Sequence, residues 1–201
     1  MTAPDTAPVL LGPAAWAKLL NAHTAYFTEA GPSYDEVLFE VAARVGTSGS
    51  IGKADIGALL FWKRLRADTR WVRHIMNLPD HQVRNETRTA VEAANDPDLS
   101  TPDAAAAGRL ALSSLPGFKS GDALASALLL AAAPDRMAVY DTRAQKGLKE
   151  LDLELTAARG RYGRYMGIVE GLKATALHYG QTWTARDVDL GLYSLGGRKS
   201  S

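Results

Sequence analysis

Two features of this 201-residue chain combine residue type and spacing in a way that can do chemistry. The first is Leu115-Pro116-Gly117-Phe118-Lys119-Ser120-Gly121, a Pro-Gly bend in a glycine-bounded loop that feeds an apolar helix-forming stretch. N–H groups at such a helix start have no partner within the helix and point outward, so the loop suits an anion, and Lys119 adds a point charge. The second is Asp141, which follows the apolar Val139 and Tyr140 one helix downstream. A carboxylate there can stabilise a developing cation or activate a water molecule. It is equally the usual cap of a helix opening at Thr142, and one side chain can serve both ends.

In this order, Leu115 to Ala144 resembles the helix-hairpin-helix DNA glycosylases, and more narrowly the bacterial proteins with an 8-oxoguanine DNA glycosylase fold. The resemblance runs from Lys53 to Gly196. It implies an all-α fold with the DNA and base site in a cleft between helical subdomains. It also implies an N-glycosylase that flips an altered base out of double-stranded DNA and hydrolyses its bond to deoxyribose, in base-excision repair or in defence against modified foreign DNA. No cofactor or metal is implied.

Residue by residue, Asp141 drives base removal, while Gly117, Phe118, Lys119, Ser120 and Gly121 grip a DNA phosphate and Arg143 extends that contact. Gly121 stands where bifunctional members carry their nucleophilic lysine, which implies base removal without strand cleavage. Lys119 and Lys146 are the candidates should an amine take part. Lys146 lies five residues beyond Asp141 and off its helical face, and Lys119 is better placed for phosphate. Trp62, Trp71 and Tyr140 are candidates to pack against the extruded base. Arg64, Arg66, Arg70 and Arg73 would then lie near DNA. Core packing is the competing reading for Trp62, and ordinary surface charge for the lysines and Arg143. The alternative for the whole chain is a non-catalytic helical module that binds DNA or a protein.

Composition bounds these readings. With 46% hydrophobic and 22% charged residues, the chain suits one compact domain. The absence of cysteine excludes disulfides, thiolate metal sites and iron–sulfur clusters. The histidines His23, His74, His81 and His178 are scattered and show no zinc spacing. Net charge is only +1, but residues 53–88 carry +4 and residues 101–201 carry +3, against −3 for 1–52 and −3 for 89–100. Two basic regions can frame an anionic ligand. The longest apolar run, Ala123 to Ala133, is interrupted by Ser126 and too short for a membrane span. The start of the chain lacks the basic residues of a signal peptide, so 1–12 reads as a disordered lead, 198–201 as a disordered tail, and the protein as a cytoplasmic monomer.

Positioning these groups falls to about ten helices, with strand signals nearly absent. Pro13 opens the first, with Trp16, Leu19, Leu20 and Phe27 at helical spacing. Ser33 and Glu36 read as a capping box for the second, whose stripe is Val37, Leu38, Val41 and Val45. A third spans Lys53 to Arg66, with Ile56, Leu59, Leu60 and Lys63 on one face. Asp68 or Thr69 caps a short fourth, and Pro79-Asp80 opens a fifth. Residues 95–101 are a candidate subdomain junction, after which Thr101-Pro102 restarts a helix. Ser120 or Gly121 begins the apolar helix that closes at Pro134. Further helices run from Asp141 to Leu151, from Gly160 to Tyr179, and from a Thr184 cap to Gly196-Gly197.

Overall fold

A computed structural model describes residues 10–29 and 32–197. Most of the expected lead and the whole expected tail lie outside the described residues. The chain is all-α: ten helices and two 3-10 turns, with no strand among the described residues. None of these helices is long and apolar enough to cross a membrane.

The helix α7 (Ala123–Ala132) is apolar all round, and its residues 125–132 are buried, as such a helix must be in water. It packs on α2 (Glu36–Ser48), α3 (Lys53–Trp62), α5 (Asp80–Asn95) and α6 (Thr101–Ala111). A second group is formed by α1 (Pro13–Glu29), α8 (Thr142–Lys149) and α10 (Ala185–Gly197). The helix α9 (Arg161–His178) touches both α6 and α10 and so joins the groups, while α4 (Arg70–Asn77) lies between α3 and α5 in sequence. One continuous set of buried side chains runs through all of this.

The candidate junction at 95–101 is tied down. The Arg136 guanidinium donates to the carbonyls of Ala94 at 3.1 Å, Asp96 at 2.6 Å and Leu99. Residue Leu11 of the expected lead is also ordered. Its side chain is buried and its N–H donates to Thr175 Oγ1 at 3.2 Å.

Several local expectations are corrected. Pro32–Asp35 forms a 3-10 turn, and Asp35 rather than Ser33 precedes α2. Trp16 is buried in α1 as expected, but Tyr26 is its second buried aromatic and Phe27 faces solvent. Ser100, not Thr101, caps α6, accepting from Asp103 N–H at 3.3 Å. The apolar helix begins at Ala123, two residues late, because Gly121 is left-handed at φ 87°.

The expected helix to Arg66 stops at Trp62 because Arg64 turns left-handed at φ 52° and Leu65 N–H closes back onto Leu60 O at 2.9 Å. That closure is the hydrogen-bond pattern of a Schellman stop.

Thr184 does cap α10, reciprocally. Its N–H and hydroxyl donate to Asp187 Oδ2 at 2.8 and 2.7 Å, and Asp187 N–H donates back to Thr184 Oγ1 at 3.2 Å. His23 meets the other Asp187 oxygen at 3.1 Å. Burial raises the Asp187 pKa, but the hydrogen bonds from His23 and Thr184 outweigh it and pull the carboxyl down to about 2. A carboxyl depressed in the folded state adds stability that is complete above the ordinary aspartate range and lost as pH falls toward 2. Asp187→Ala is therefore expected to cost about 2 kcal/mol at pH 7 and little near pH 2. Urea unfolding of both proteins at the two pH values measures the difference.

Candidate functional site

Asp141 is delivered by residues 137–140, a segment outside any helix that borrows hydrogen bonds from side chains. Tyr140 N–H donates to the buried Ser126 hydroxyl of α7 at 2.9 Å. The phenols of Tyr162 and Tyr165 on α9 donate to Ala138 O at 2.9 Å and Val139 O at 3.0 Å. Burial pushes both phenols well above their ordinary pKa, so they remain donors. Backbone groups buried away from water need such partners, and here the partners fix the segment between α7 and α9.

At its end, Asp141 divides its carboxylate. Oδ1 accepts from the N–H groups of Arg143 and Ala144 at 2.9 and 3.0 Å and caps α8. Oδ2 meets Lys63 Nζ at 2.5 Å. Both side chains are largely buried, Lys63 with 11% and Asp141 with 16% of the side chain exposed. Burial opposes ionisation of Asp141, but the Lys63 charge and hydrogen bond, helped by the two cap N–H groups, hold the carboxyl below its usual range. The pair also suits its two helix ends, a cation at the C-terminus of α3 and an anion at the N-terminus of α8.

The far end of α3 is fixed by the buried Asp55, which accepts from Arg44 at 2.8 Å and from Gly52 N–H at 2.9 Å. From there α3 carries Trp62 and Lys63 to the meeting point of the two helical groups. A small, partly open cavity lies there, with enclosed room for about one water molecule, lined by Tyr26, Tyr34, Trp62, Lys63, Arg186 and Tyr193, among others. Trp62 is buried, and its Nε1–H donates to Asp35 at 3.0 Å. Arg186 stacks over Trp62 at 5.5 Å while pairing with Asp35 at 2.7 Å and with Asp189.

Of the residues expected to act, the structure brings Asp141 and Trp62 to one place. Arg143 joins them at the rim, its guanidinium 4.3 Å above the Tyr193 ring. Lys146 lies on the exposed side of α8, opposite the buried Ala144, Gly147 and Leu148, and takes no part. Tyr140 is buried between Tyr165, at 4.9 Å, and Arg161, at 5.2 Å, which removes it as a stacking surface. Trp71 packs under the hairpin instead of beside the cavity: its ring lies edge-on to Phe118 at 5.9 Å, where a Cβ on Gly117 would collide with it.

The hairpin is a separate feature. Gly117 is left-handed at φ 88° and exposed, as are Lys119, Ser120 and Gly121. Phe118 is corrected as a phosphate donor, because its side chain is buried and its N–H is taken by Leu115 O at 3.1 Å. Arg109 holds the loop through Phe118 O at 2.8 Å, Gly121 O at 3.3 Å and Asp122 at 2.9 Å. Asp122 also binds Arg161 at 2.7 Å, and Arg161 lies over Tyr140, the neighbour of Asp141. The hairpin and the carboxylate are thus connected through one chain of contacts.

Among the expected basic residues, Arg64 lies over Tyr34 at 5.3 Å and Arg66 pairs with Asp68 at 2.7 Å in solvent.

Lys63 is the site residue that the motif reading missed. Its one signal was a lysine continuing the apolar face of Ile56, Leu59 and Leu60, where a solvated charge does not belong. The chain matches no family model, no curated protein and no solved structure.

Proposed function

We propose that the protein is a DNA N-glycosylase of helix-hairpin-helix type, removing an altered base by hydrolysis with Asp141 as its central carboxylate. The reading rests on one observation above the others. An ionised, mostly buried carboxylate sits at a helix start beside a lysine from a remote helix, and that lysine lines a small cavity with aromatic walls.

In this reading, the bond from C1′ of the sugar to the base nitrogen breaks, and its electron pair leaves with the base. Asp141 Oδ2 stabilises the positive charge that grows on the sugar ring. Water attacks C1′ and passes a proton to Asp141. Lys63 supplies a proton to the departing base and recovers one from Asp141. Such a lysine also keeps the carboxylate charged between turnovers. The expected absence of strand cleavage follows the glycine at position 121.

The test exposes a panel of duplexes, each with one altered base, to the protein and looks for free base and for alkali-labile sites. Release from at least one duplex supports the reading. Binding to duplexes with no release from any of them favours the non-catalytic helical module, in which Asp141 only caps α8.

The hairpin carries a separate expectation. If it meets the DNA backbone, Lys119→Ala weakens binding for all sequences alike and flattens the salt dependence by about one phosphate contact. Duplex affinity measured at several salt concentrations reads this directly. An unchanged slope removes Lys119 from the interface.

A further inference from the structure

Arg186 is heavily engaged at the cavity, yet one of its donors is left over. One terminal nitrogen pairs with Asp35 at 2.7 Å and the other with Asp189. The remaining Nε–H is buried and has no partner among the described residues. Tyr26 of α1, 8% exposed, is in the same position, with its hydroxyl buried and unpartnered among those residues. Both side chains line the cavity, and so does Asp189 of α10. Unpaired buried donors are costly, and folded proteins seldom leave them so.

The chemistry of these groups selects the ligand. An arginine Nε–H can only donate. Burial and the neighbouring Asp35 push the Tyr26 phenol well above its ordinary pKa, so it stays protonated and able to donate. Two donors exclude a metal cation, which needs lone pairs. An anion is disfavoured as well, because two carboxylates, Asp35 and Asp189, already face the one Arg186 charge. Lys63 also lines the cavity, but its charge is answered by Asp141 at 2.5 Å. What fits is a small neutral molecule that accepts twice. The enclosed room, about one water molecule, sets the same size. Asp189 spends Oδ2 on Arg186, which leaves Oδ1 to accept a proton coming the other way.

We propose that the cavity holds one resident water molecule, which accepts from Tyr26 Oη–H and Arg186 Nε–H and donates to Asp189. About three polar partners is the usual number for a buried water. The water ties α1 to α10 and takes up the last free donor of Arg186, which lies over Trp62 beside Lys63. Because it accepts two hydrogen bonds, both its lone pairs are occupied and it is a poor nucleophile. It belongs to the wall and is not the water that attacks the sugar in the proposed reaction. The inference therefore stands or falls independently of the glycosylase reading.

A crystal grown in the presence of bromide tests the identity of the ligand directly. The expected result is a single peak within hydrogen-bond distance of Tyr26 Oη and Arg186 Nε, without anomalous signal. An anomalous bromide peak there overturns the neutral ligand in favour of an anion. No peak, or a Tyr26 hydroxyl turned to a protein acceptor, overturns the site.

Tyr26→Phe supplies a test in solution, because the two cases differ in sign. With the water in place, the variant takes away one of its partners, and the melting temperature is expected to fall by about 3 °C. With no water, the same change removes a buried hydroxyl that satisfies nothing, and the melting temperature stays or rises. A variant that melts at or above the wild-type temperature therefore overturns the proposal.

Discussion

Asp141→Asn is expected to lower base release by about a hundredfold to a thousandfold while the protein stays folded and still binds duplex DNA. The asparagine keeps the size of the side chain. Its carbonyl oxygen can accept from Arg143 and Ala144 as Oδ1 does now, so α8 keeps its cap. The negative charge opposite Lys63 is lost. That lysine is largely buried, so the variant is also expected to be less stable, by about 2 kcal/mol, because a buried charge left without its partner is costly. Base release and urea unfolding, measured on the same preparation, separate the two effects. A folded variant with full activity would remove Asp141 from the chemistry. A variant that no longer folds would make capping and pairing its main work.

The largest loss of stability is expected from Gly196→Ala. In the α8–α10 crossing, a Cβ at position 196 would lie 2.8 Å from the Arg143 carbonyl carbon and 2.8 Å from Gly147 N. These are backbone atoms of α8, so no side-chain rotation relieves the overlap and the two helices must separate. That separation disturbs the helix that Asp141 begins and the seat of Arg143 on Tyr193. A cost of about 4 kcal/mol or more is expected, at the upper end for a single substitution.

Gly57→Ala is the matched comparison. Gly57 is exposed on α3, and a Cβ there meets nothing within 4 Å. It should gain about 0.5–1 kcal/mol from helix propensity alone. Urea midpoints for the two variants should therefore move in opposite directions. A Gly196→Ala protein as stable as wild type would mean that α8 and α10 do not cross this closely.

The helices were legible in the sequence because a helix is set by neighbours three and four residues away. Pro13, the Thr184 cap and the uniformly apolar run at 123–132 each specify an element through local hydrogen bonding and local burial. Asp141 was legible for the same reason. A carboxylate ahead of a helix caps it, and Oδ1 does so here. Where local rules misled, a tertiary demand competed with them. Asp35 replaced Ser33 ahead of α2 while its carboxylate serves Trp62 and Arg186. Tyr26 and not Phe27 turned inward, because α1 faces α10 along that line.

The partners of these residues belong to the tertiary structure alone. Lys63 and Asp141 are 78 residues apart, and Arg186 and Asp35 are 151 apart. Periodicity fixes which face of a helix is buried, but not which other helix end it meets. That depends on how α3, α8 and α10 cross, and the crossing is set by side-chain volume and by small residues such as Gly196. The sequence by itself therefore determined an all-helical chain with a capping carboxylate at Asp141. Packing decided that a lysine from α3 would face that carboxylate, and that Arg186 would pair with Asp35 over Trp62 beside it.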